Sequence, residues 1–158
     1  MFYALLKTLH LFAIIVWIGG MVFAHFFLRP AAGMLEPSVR VRLMHGVLQR
    51  FFGAVLVAIA ITLATGLWMI GQVAKQVVQA GAPFNMPLEW TFMATLGFVM
   101  MLIFGHIRFV LFKRLGNAVQ ALNWPAGAAA LAQIRTWVVV NLSLGVLIVL
   151  VTLFGVPR

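Results

Sequence analysis

Cysteine is absent from the 158 residues, and acid is nearly so: Glu36 and Glu89 are the sole carboxylate side chains. The first absence excludes disulfides, thiolate metal centres and iron–sulfur clusters. Charge of either sign is scarce as well, at 8% of residues against 65% hydrophobic. Soluble domains carry about 25% charged residues, so this chain has too little polar side chain to cover a water-facing shell. Lipid is the solvent that such a composition fits.

What charge there is is positive, eleven Lys and Arg giving a formal net charge of +9. A balance of that kind also suits nucleic acid. Here, however, the cations stand at the edges of apolar runs, where topology signals stand. No aromatic-interleaved basic patch of the single-strand-binding kind is present, and no nucleic-acid partner is expected.

A helix needs about 20 apolar residues to cross ~30 Å of hydrocarbon. Four windows qualify: 5–28, 51–71, 88–112 and 137–156. The first is longer than the ~7–15 residues of a signal-peptide core and is expected to be retained. The sequence therefore predicts an all-α integral membrane four-helix bundle over 1–158. Arg29, Arg40, Arg42, Arg50, Arg108, Lys113, Arg114 and Arg135 fall on one side, and Lys7, Lys75 and Arg158 on the other. That asymmetry places the basic loops in the cytoplasm and both termini on the outer side of the membrane. Small residues at four-residue spacing (Ala58, Thr62 and Gly66), with Gly19, Gly20 and Gly145, are the expected close-approach points between helices. Pro125 suits the first turn of a fourth helix that starts ahead of its lipid-spanning part.

Ionisable side chains inside spans mark function by default. "LHLFAIIVWIGGMVFAHFFLRP" carries His10 and His25, and His45 and His106 complete the histidines. At ~100° per residue, His10, Ile14, Trp17, Met21 and His25 share an arc of about 80° on the first helix. On the third, Thr95, Val99, Leu102 and His106 form one stripe. A rise of 1.5 Å per residue puts His25 and His106 within about one turn in height, and His10 about 22 Å from His25.

Two chemistries suit these residues. Haem b would take His25 and His106 as axial ligands, with His45 able to replace either, Arg29, Arg50 or Arg108 on the propionates, and Trp17, Phe26 and Phe104 as walls. Copper would take His10 with Met69 and Met93 at the outer side, then His25 and His106, since His and Met are the soft donors left without cysteine. The plainer readings are interhelical hydrogen bonding for His10 and interfacial snorkelling for His25, His45 and Arg108.

"LHLFAIIVWIGGMVFAHFFLRPAA", "QRFFGAVLVAIAITLATGLWMI", "GHIRFVLFKRL" and "IRTWVVVNLSLG" resemble the bacterial copper-resistance D (CopD) family of integral membrane proteins. His10, Trp17, Arg29, Pro30, Arg50, Phe51, Gly66, His106, Arg135 and Asn141 carry the resemblance. It implies a four-helix protein of the bacterial inner membrane, both termini then on the periplasmic side, and copper import or handling from that side with a periplasmic copper carrier as partner. His10, Trp17 and His106 also match the outline of HemJ-like four-helix haem membrane proteins. The chain departs from that outline at Asn141-Leu142, where those proteins have an acid after the asparagine. The sequence reading is a haem b protein with an electron-transfer or oxidoreductase role and a membrane redox partner. Copper binding or transport is the alternative, and a cofactor-free accessory subunit a third. Lipid-facing surface is the one large interface available to a homodimer.

Overall fold

The structure is a computed structural model that describes residues 1–154. Four helices long and apolar enough to cross a membrane make up the described chain: α1 (Phe2–Ala32), α2 (Pro37–Gln79), α3 (Leu88–Gln120) and α4 (Trp124–Phe154). No strand occurs among the described residues. Residues 155 and 156 of the predicted fourth span, and Arg158 of the charge count, lie outside them.

The helices outrun the predicted spans, most of all at α2. The stretch 29–50, read from sequence as a basic connection, is almost entirely helical. Only 33–36 interrupts it, between the last turn of α1 and Pro37 at the start of α2. Proline is favoured there because its missing N–H has no partner in a first turn anyway. At 43 residues, α2 is about 64 Å long, roughly twice the ~30 Å of hydrocarbon. Its first turns carry Arg40, Arg42 and Arg50 beside buried Val41 and Leu48. α4 likewise begins at Trp124, with Pro125 in its first turn. The turn before it places Leu122 at φ 53°, and Asn123 Oδ1 accepts the Ala126 N–H at 3.0 Å.

α1 packs chiefly on α2, and α3 chiefly on α4, with α4 also touching α1 and α2. Because apolar side chains gain nothing by leaving lipid for one another, fit and close approach hold such a bundle. Gly20 admits the Phe51 ring so closely that a Cβ would collide with it, and Gly145 leaves room for Ile18 and Met100. Gly19, by contrast, faces open space. An aromatic column forms the centre. Trp17 meets Phe104 edge-on at 6.2 Å, Phe104 meets Phe52 at 5.6 Å, and Phe52 meets Phe112 at 5.3 Å.

Two π turns interrupt the helices, at Ala24–Leu28 in α1 and Ile107–Leu111 in α3. The first precedes Pro30, which has no N–H for the Phe26 carbonyl and crowds it. Widening the turn ahead relieves that clash, and the Arg29 N–H reaches back to the Ala24 carbonyl instead. No proline accounts for the second.

Phe52 is 1% exposed while Leu102 faces outward at 59%. Phe52→Ala should therefore cost about 3–5 kcal/mol. Leu102→Ala should stay within about 0.5 kcal/mol of the parent. Thermal unfolding in one detergent compares them.

Candidate functional site

The predicted stripe on α1 turns inward. Trp17 and Met21 are buried, and His10, Ile14 and His25 are half-buried. The predicted stripe on α3 does not. Thr95, Val99, Leu102 and His106 are all exposed, and the inward line runs instead through Met100, Phe104, Ile107 and Leu111. A wheel fixes which residues share a face. On a helix apolar all round it gives no direction for that face.

This separates the two histidines proposed as an axial pair. His106 lies on the outside of α3, edge-on to Trp137 at 5.4 Å. His25 faces a cavity between α1, α2 and α4 whose lining contains no second histidine. Its ring is edge-on to Phe26 at 4.7 Å. Equal height was not enough, because the pair also had to share an azimuth. Trp17 and Phe104 close the bundle centre, and neither lines that cavity. Arg29 does line it, whereas Arg50 is exposed and does not. His45, read from sequence as lying ahead of the second span, sits within α2. It stacks on Phe112 at 5.0 Å and 4°, beside a cleft of about 300 Å³ that also holds Arg108 and Lys113. No cluster of three or more His, Asp or Glu able to hold a metal occurs among the described residues.

His10 has the most defined surroundings. Its Nδ1 lies 2.8 Å from Thr65 Oγ1 on α2, and its Cε1 edge faces Gly66, where a Cβ would stand 3.2 Å away. Gly66 therefore makes room for the imidazole. Thr65 gives its own hydroxyl proton to the Ile61 carbonyl at 2.6 Å. Its oxygen can then accept from His10, an arrangement that favours the Nδ1–H tautomer, in which Nε2 keeps a lone pair. A histidine held by its other nitrogen in this way has the arrangement of an oriented ligand. Met69 is one turn beyond Thr65 on the same face of α2, half-buried, and Met93 is half-buried near the start of α3.

Sequence reasoning left several roles unassigned. Met21 and Met100 place thioethers inside the bundle at 2% and 3% exposure. Thr62 Oγ1 and Asn141 Oδ1 are buried without a hydrogen-bond partner. Arg40, Met44 and Arg135 join His25 and Arg29 around the cavity. Arg40 had served only as a topology signal, and Arg135 as that and as a carrier of the family resemblance; nothing in their spacing announces a shared pocket.

The fold is that of a multi-pass helical membrane protein. The family model described as Copper resistance protein D matches residues 45–154, well over half of the chain. The chain belongs to that family. The match takes in Arg50, Phe51, Gly66, His106, Arg135 and Asn141, whereas α1 with His10 lies ahead of it. No curated protein and no solved structure matches the chain.

Thr65→Val would remove the acceptor of His10 Nδ1–H while keeping the shape. The expected loss is about 0.6–1.7 kcal/mol of stability. Nitrogen NMR of His10 should also show the Nδ1–H tautomer giving way to a mixture.

Proposed function

We propose that this protein handles copper ions at a bacterial inner membrane, with His10 as the ligand on the side where both termini emerge. The single observation that carries the reading is the imidazole of His10, whose Nδ1 lies 2.8 Å from the Thr65 hydroxyl, itself turned to the Ile61 carbonyl; in the Nδ1–H tautomer that this arrangement favours, Nε2 keeps the lone pair. Membership of the copper resistance protein D family supports it. The donor set supports it too. Imidazole and thioether are soft enough for Cu(I), and cysteine is absent. Met69 and Met93 are the thioethers on the His10 side, and Met100 and Met21 are those deeper along the interior. The cation would arrive from the periplasmic side, handed over by a carrier in that compartment.

Haem b is less well supported, since His25 and His106 face different surroundings. A second reading, that of a cofactor-free accessory subunit, draws on the same hydrogen bond. His10 would then serve only to join α1 to α2.

Cu(I) titration of the purified chain against a chromophoric chelator separates the readings. One tightly held Cu(I) per chain is expected. Thr65→Val should weaken it about 10–100-fold, and His10→Ala should weaken it further. His106→Ala should leave it unchanged. Absence of stoichiometric Cu(I), or equal affinity in His10→Ala, would sink the proposal. A Soret band in the purified protein would restore the haem reading.

A further inference from the structure

The basic ends of α1, α2 and α4 enclose a cavity of about 540 Å³ that the copper reading leaves unused. Its wall collects His25 and Arg29 from α1, Arg40 from α2 and Arg135 from α4, and no acidic residue among the described ones lines it. Arg29 and Arg135 are near enough to repel each other. Gathering like charges around one space without a counter-ion is unfavourable, and an anion placed among them removes the repulsion. Guanidinium groups are the side chains best shaped for phosphate, which they meet with paired N–H donors.

The remainder of the wall narrows the class of anion. Towards the middle of the bundle it continues through Met44, Leu48, Ile134 and Val138. These give an apolar floor below a cationic mouth. A free phosphate would use the mouth and leave the floor empty. A phospholipid uses both, because its headgroup sits at the level of the basic ends and its chains lie in hydrocarbon. Basic pockets between transmembrane helices are known to take anionic headgroups.

We propose that this cavity is a binding site for an anionic membrane phospholipid. Arg29, Arg40 and Arg135 hold the phosphate oxygens, and an acyl chain runs along Leu48, Ile134 and Val138. His25 lies beside the phosphate as an additional donor. The site thereby gives His25 a role separate from metal or haem ligation.

Native mass spectrometry of the full chain in detergent, with thermal unfolding alongside, tests this. The probes are phosphatidylglycerol, phosphatidylcholine and inorganic phosphate. Phosphatidylglycerol should be retained and should raise the unfolding midpoint, and the other two should do neither at equal concentration. Arg29→Gln and Arg135→Gln should each weaken phosphatidylglycerol retention about fivefold, the effect of one basic group near the membrane surface. Arg114→Gln, an exposed arginine outside the cavity, should leave it unchanged. Equal retention of phosphatidylcholine, an equal midpoint shift from inorganic phosphate, or an equal loss in Arg114→Gln would each overturn the proposal. Should a cavity variant fail to fold, the three probes on the parent chain still decide it.

Discussion

The wedge of Phe52 between Phe104 and Phe112 is the contact on which the bundle depends. α1 and α2 form one close pair, and α3 and α4 another. Phe52 joins the first pair to the second, and Phe104 carries the contact on to Trp17 of α1. In lipid such a junction cannot rely on the expulsion of water. It relies on aromatic edges meeting faces at distances where that geometry is favourable. Towards the basic end Phe112 also carries the stacking of His45, and α1, α2 and α4 leave a cavity between them.

Composition made the membrane class legible, because 8% charge cannot cover a water-facing shell, and four long apolar windows made it all-helical. Helix ends were harder to read. Hydropathy reports where lipid stops, and α2 continues as an amphipathic helix well beyond that point, around Val41 and Leu48. The inward face of α1 could be read because His10 and His25 share it, and ionisable side chains in a span face the bundle interior. On α3 the same rule fails, since His106 lies on the outside. Leu102 and Met100 are equally apolar, yet one faces lipid and the other the core. That ambiguity is why His106 was placed opposite His25 from its height alone. The contact of His10 with Thr65 was hidden for a different reason: 55 residues separate the two in sequence, and nothing local links them.

The two ends of the bundle present different chemistry. At His10 the polar contact is with a neutral group, the hydroxyl of Thr65. Around His25 the polar groups are cationic, with three arginines in one wall. A soft metal cation and a phosphate anion would therefore not compete for the same place. The same residue type, histidine, takes its character from its neighbours in each case.

The π turns have a geometric meaning. α1 and α3 each contain one, in the turn that holds His25 and in the turn that follows His106, while α2 and the described part of α4 run without one. Each admits one residue more than an α turn. Side chains beyond it therefore stand about one position around the helix from where an unbroken α wheel puts them. In α1 the residue set over in this way is Arg29, which lines the cavity.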